Sequence, residues 1–116
     1  MAIPSGSGTE VLKQANTGAT PLNATSVDMI TGVANHIYTI LSIVFCEQAN
    51  SSTLVDIRVQ TPAAVSVNLA QEIAIGARET FVWNDKIVLV GTDKLNIYNT
   101  GSNLDIWVSY IDQDWT

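Results

Sequence analysis

Residues 36–46 read HIYTILSIVFC, and after a polar break at residues 47–52 the chain resumes as TLVDIRVQ over residues 53–60. The first segment is dense in β-branched and aromatic side chains, which fit a pleated surface. Its centre is apolar at both parities, the pattern of a central strand covered on both faces. The second segment alternates, with Val55, Ile57 and Val59 on one parity and Asp56 and Arg58 on the other. That is a half-buried strand, and the short break predicts a hairpin with its predecessor.

The same texture continues downstream. Thr61-Pro62 breaks the pattern. Residues 64–75 (AVSVNLAQEIAI) are ambiguous: the alanines and the spacing of Leu69, Ile73 and Ala77 permit a helical turn. Val65, Val67 and Leu69 alternate, as do Ile73 and Ile75, so two short strands are preferred. Residues 80–83, 86–90, 94–98 and 104–111 each read as strands, separated by Asn84-Asp85, Gly91-Thr92-Asp93 and a hairpin loop at 99–103. Seven to eight short strands with no credible long helix predict an all-β protein, an antiparallel β-sandwich of jelly-roll or Ig-like type. Upstream the texture differs. Residues 1–26 hold Pro4, Pro21, several glycines and many Ser, Thr and Asn, with only a short turn or strand conceivable at residues 9–13. They read as an extended N-terminal arm, leaving residues 27–116 as the sandwich domain. Deleting residues 1–20 is expected to leave that domain folded.

Composition narrows the function. A chain of 116 residues suffices for one domain and is too short for two. The net charge is −6, and the five basic residues (Lys13, Arg58, Arg78, Lys86, Lys94) are scattered. Nucleic acid and anionic membrane both require concentrated positive charge, so neither is an expected partner. Charged residues are 14% of the chain, below the roughly 25% of ordinary domains, which suits a surface that faces other protein. No apolar run approaches the ~20 residues of a membrane span. The N-terminus lacks the basic and apolar regions of a signal peptide, so synthesis and folding in the cytoplasm are expected.

The residues offer little chemistry. The single cysteine, Cys46, lies in an apolar strand, where a thiol usually serves as a small buried hydrophobe. His36 is the single histidine, and any Ser–His–Asp or Cys–His site would have to be built around it. No Gly-x-Ser-x-Gly accompanies it, so it reads as a hydrogen-bonding residue at a strand start. One His and one Cys do not make a zinc site. Carboxylates at Asp112 and Asp114, or at Asp85 and Asp93, could meet a hard cation, but no calcium-loop pattern is present. Glu72 and Glu79 are the most plausible paired acids, on a chain too short for a sugar-cleaving cleft. No catalytic, cofactor or metal residue is assigned. The aromatics are candidates for contact. Trp83 ends a strand, Trp107 falls on the polar parity of the last strand, and Trp115 is near the C-terminus. Trp and Tyr are enriched at interfaces, and an outward Trp107 would mark a contact site.

Several stretches carry a family resemblance: residues 36–59, with a Tyr-Thr step leading into an apolar strand, a small polar turn and an alternating strand; Arg78-Glu79-Thr80-Phe81-Val82-Trp83; Lys86-Ile87-Val88-Leu89; Gly91-Thr92-Asp93-Lys94-Leu95; and the closing Val108-Ser109-Tyr110. Together with the opening run from Ala2 to Leu12, they resemble the small β-sandwich accessory proteins of tailed-phage virions, the head decoration, cement and head-fibre proteins. The resemblance implies a structural virion protein. It would bind the major capsid protein on the outside of the head and associate with itself as a trimer or dimer. The arm (Ile3, Pro4, Val11, Leu12) and the aromatics (Trp83, Trp107, Trp115) would be its contact residues. The alternative is a carbohydrate- or receptor-binding module of a phage fibre or tail, with an exposed aromatic stacking on sugar.

Overall fold

β-branched and aromatic residues dominate the segments that become strands, and turn-formers separate them. The computed structural model describes residues 9–63 and 65–115, and among them the chain forms nine strands and no helix. These are β1 (Thr9–Asn16), β2 (Ser26–Thr31), β3 (His36–Glu47), β4 (Thr53–Gln60), β5 (Ser66–Ile75), β6 (Thr80–Trp83), β7 (Ile87–Val90), β8 (Lys94–Asn99) and β9 (Leu104–Asp114). They build two antiparallel sheets. The first runs β1-β9-β3, with β7 and β6 end to end along the far side of β3; the second runs β2-β8-β4-β5.

Counting β6 and β7 as one interrupted strand makes the topology simple. The chain is a long hairpin that turns back between β4 and β5, in which β4 pairs β5, β3 pairs β6/β7, β2 pairs β8 and β1 pairs β9. The hairpin then rolls over so that β3 also meets β9 and β4 also meets β8. This is a jelly roll, which decides between the two sandwich types the sequence allows.

Three local expectations are corrected. First, β3 and β4 do not form a hairpin. They lie in different sheets, as do β8 and β9, and residues 47–52 and 99–103 cross the end of the sandwich. Stacking brings the apolar face of β3 (Ile40, Ile43, Phe45) into one core with that of β4 (Val55, Ile57); side-by-side pairing could not bury the two faces against each other. Second, residues 66–75 are one strand. Two register shifts insert extra residues in β5 opposite Val55, Ile57 and Arg58. One is at Glu72, whose φ is +55° and whose N–H donates to Asp56 Oδ1 at 2.7 Å. Such bulges suit an edge strand, where they discourage pairing with foreign strands. Third, the sheet takes in residues read as arm. β1 pairs β9 along its whole length, from Thr9↔Asp114 to Asn16↔Trp107, and Leu22 is buried and bridged to Leu104. Deleting residues 1–20 would therefore remove an edge strand. Residues 1–8, with Ile3 and Pro4, lie outside the described residues.

A buried polar latch closes one end. Asn99 is fully buried and donates to the Leu22 carbonyl at 2.8 Å. Its Oδ1 accepts from Thr53 Oγ1 and from the Gly101 N–H, which also reaches Thr53 Oγ1 at 2.8 Å. At the other end Gly32 lies so close to the Gly91 and Asp93 carbonyls that no Cβ fits, and its N–H donates to Asp93 O at 2.9 Å.

Candidate functional site

Neighbouring residues on paired strands share a sheet face, so register assigns each side chain to the core or to solvent. On the second sheet the outward positions are Asp56, Arg58 and Gln60 of β4, Lys94, Asn96 and Tyr98 of β8, and Asp28 of β2. They form a polar ladder: Asn96 Nδ2 donates to Asp28 Oδ1 at 2.9 Å, and the Arg58 guanidinium lies 5.4 Å from the Tyr98 ring centroid. This is a solvated face.

The first sheet presents the opposite character. Across its strands the outward rows are Leu12–Ile111–Thr39–Val88, then Gln14–Ser109–Ser42, then Asn16–Trp107–Val44–Val82. These three rows carry no charge. Glu10 closes the face at one end and Asp105 at the other. Leu12 is 70% exposed, Val88 57% and Trp107 48%. Scattered apolar residues are ordinary on a surface, whereas a contiguous patch marks a contact.

Trp107 borders a shallow depression of about 200 Å³ with Asn16, Thr17, Val44, Cys46 and Asp105. The polar groups there are already engaged. Asn16 Oδ1 accepts from the Gly18 N–H at 2.7 Å, Asp105 Oδ1 accepts from Thr17 Oγ1 at 3.2 Å, and Asp105 Oδ2 accepts from Gln48. They hold the turn after β1 and the crossing after β3.

The inner side of the first sheet holds a cluster that sequence reading missed. Lys13 of β1 donates to Asp112 Oδ2 of β9 at 2.8 Å, and His36 Nδ1 of β3 lies 2.7 Å from Asp112 Oδ1. Asp112 is buried, and Tyr38 stacks on His36 with ring centroids 5.8 Å apart. Burial pushes the Asp112 carboxyl up, but hydrogen bonds from Lys13 and His36 outweigh it and leave it below the ordinary carboxylate value. The hydrogen bond to Asp112 holds the Lys13 ammonium above its ordinary value. Burial raises the Tyr38 phenol, against the Val33 N–H that donates to its oxygen at 3.0 Å. A His–carboxylate pair serves catalysis when its second nitrogen meets a nucleophile. Here His36 Nε2 faces the Asp114 carboxylate at 3.8 Å, so both ring nitrogens meet carboxylates. What this arrangement does is clamp β1, β9 and β3 together. Among the described residues no group of three or more His, Cys, Asp and Glu is placed to share a metal ion, and no helix is long and apolar enough to cross a membrane.

The sequence-derived contact residues are therefore dispersed. Leu12 and Trp107 share the outer face of the first sheet. Val11 and Trp83 sit on its inner parity, opposite Asp112 and Ile43. Trp115 lines a separate shallow depression beside Asn35 and His36.

No family model matches the chain, and no curated protein is similar to it in sequence. The likeness to known proteins is one of fold. In the virus-like particle of the extra small virus of the giant freshwater prawn Macrobrachium rosenbergii, the matching protein is 8% identical with a TM-score of 0.53, over 98% of this chain and 84% of that one. This chain shares its fold with the proteins of viral particles. The protein of the T13 IBDV particle superposes with a TM-score of 0.51 at 7% identity, over 92% of this chain; that covers 36% of the viral protein, about a third of its length. The fold is not confined to viruses. A protein of the Bacillus endospore appendages, a family of disulfide-linked pili, matches over 100% of this chain and 97% of its own, with a TM-score of 0.55 and 12% identity.

Proposed function

We propose that this chain is a structural component of a virus particle, a decoration or cement protein seated on the outside of a tailed-phage capsid and bound to the major capsid protein. The observation that carries this reading is the asymmetry of the sandwich: one face is solvated by charges, and the other has three uncharged rows that expose Leu12, Val88 and Trp107. That is the surface plan of a building block. Its fold neighbours include proteins of viral particles and of pili. The sequence-derived contacts Ile3 and Pro4, outside the described residues, are proposed as a second grip on the shell. Many copies in symmetric contact make individually weak contacts additive.

A second reading, a carbohydrate- or receptor-binding module of a fibre or tail, is favoured by one observation: half-exposed Trp107 beside Asn16 and Asp105. Against it, those polar groups are spent on local turns rather than presented to a ligand.

The test is the copy number of this protein relative to the major capsid protein in purified particles, by quantitative mass spectrometry. A ratio of order one is expected. A handful of copies per particle moves the protein to the neck, tail or fibre and favours the second reading. Absence from particles overturns both.

A further inference from the structure

We infer that the outer face of the β1-β9-β3-β6/β7 sheet is the contact between two copies of this chain. The inference goes beyond the particle reading and does not depend on it.

Three observations select a second copy as the occupant. The first is charge. Each copy carries a net charge of −6, so two copies repel at most approaches. This face is where that repulsion is least, because the rows between Glu10 and Asp105 are uncharged. A foreign partner would ordinarily be steered and selected by complementary charge, and these rows offer none. The second is area. Four strand positions at about 4.8 Å and the 11 residues of β9 at about 3.3 Å span roughly 700 Å² for the whole face, the Glu10 and Asp105 rows included, of which the three uncharged rows make up somewhat more than half. A specific interface of standard size takes about 800 Å² per partner. The third is shape. The face is a sheet with an uncharged polar row, Gln14–Ser109–Ser42, between two rows that carry Leu12, Val88, Trp107 and Val82, and two such faces can stack about a two-fold axis as aligned sheets do. The same surface then serves both partners without the mixed-sign ladder that makes the other face unsuitable.

In this arrangement Trp107 and Val88 are the anchors. Cys46, on the outer parity beside Trp107's strand neighbour Val44, becomes covered.

The experiment is sedimentation velocity on the full chain from about 1 to 500 μM, with maleimide labelling of Cys46 at both ends of the range. A species of twice 12.5 kDa should grow with concentration, and Cys46 should react more slowly as it does. Val88→Lys and Trp107→Lys each remove an apolar anchor and bury an ammonium in the contact, and should weaken association by at least about tenfold. Ser66→Lys, on the charged sheet, should leave it unchanged. Circular dichroism melts confirm that each variant folds. A monomer at every concentration overturns the inference. So does association that Val88→Lys and Trp107→Lys leave intact, or a Cys46 reactivity that does not vary. A monomer that binds particles and loses that binding in Val88→Lys also overturns it, and assigns the face to the shell instead.

Discussion

Replacing Asp112 with Ala tests whether the internal ion cluster holds the edge strand. Asp112 is buried and accepts from two cations or potential cations, Lys13 at 2.8 Å and His36 at 2.7 Å. Hydrogen bonds to charged groups contribute about 1.5–3 kcal/mol when shielded. The His36 contact, four-fifths buried, belongs in that range. Lys13 is 46% exposed, so solvent screening limits its share to about 0.5 kcal/mol. Removing the carboxylate also removes its own burial cost, leaving a net loss of about 2 kcal/mol. For a domain of this size that lowers Tm by about 8 °C. Lys13→Ala should lower it by less than about 3 °C, since only the screened arm is lost.

The pH dependence follows from the directions of the shifts. The Asp112 carboxyl lies below its ordinary 3.8, so its contribution is present above 3.8 and fades as pH falls through the lowered value. The Tm gap between wild type and Asp112→Ala should hold from pH 7 to about 4 and close below that. Lys13 and Tyr38 lie above their ordinary values, so their contributions are present below pH 10 and fade as pH rises past it. The assay is thermal unfolding by circular dichroism across pH, with hydrogen exchange at β1. Because β1 pairs with β9 alone among the described strands, its amides should exchange faster in Asp112→Ala while those of β4 and β8 follow global stability. A Tm loss below about 2 °C with unchanged exchange at β1 would refute the clamp.

Three further outcomes are expected. Asn99→Leu keeps the volume but strips partners from the Leu22 carbonyl, Thr53 and Gly101 at once, and should cost about 2–4 kcal/mol in urea unfolding. Gly32→Ala drives a methyl into the Gly91 and Asp93 carbonyls, which are backbone and cannot swing aside; a loss of about 2 kcal/mol or more is expected in the same assay. Asp56→Ala removes the acceptor for the Glu72 N–H at an exposed bulge, so the loss should stay near 1 kcal/mol, with faster amide exchange confined to β5.

Where a strand keeps strict alternation and both of its neighbours, its sequence declares it. β4, β8 and the apolar positions of β9 are of this kind. The bulges blur the rest. β3 is apolar at both parities partly because the register shifts between Ile40 and Ser42, which turns Ile40 and Ile43 to the same side. β2 escaped notice because a shift between Asp28 and Ile30 puts Met29 and Ile30 both in the core, breaking its alternation. β1 is an edge strand exposed along nearly its whole length, so backbone pairing defines it and its side chains resemble those of a loop. The crossings at residues 47–52 and 99–103 are as short as hairpins, and length alone does not tell an arch from a turn. The ion cluster was illegible for a different reason. Lys13 and Asp112 are 99 residues apart, His36 and Asp112 76 apart, and only the strand order brings them together. By contrast, the outward direction of Trp107 follows from its parity with Asp105 and Ser109, which a sequence does display.

The position of β9 has a consequence for how the protein is made. It is the last of the nine described strands yet an inner strand of its sheet, flanked by β1 on one side and β3 on the other. A ribosome emitting about 5–20 residues per second would release eight strands whose sheet lacks its middle. Until residues 104–114 emerge, β1 has no partner and β3 has one open edge. Closure therefore waits on β9, whose arrival completes the sheet in one step. Whatever depends on the outer face of that sheet depends on β9 having joined it between β1 and β3.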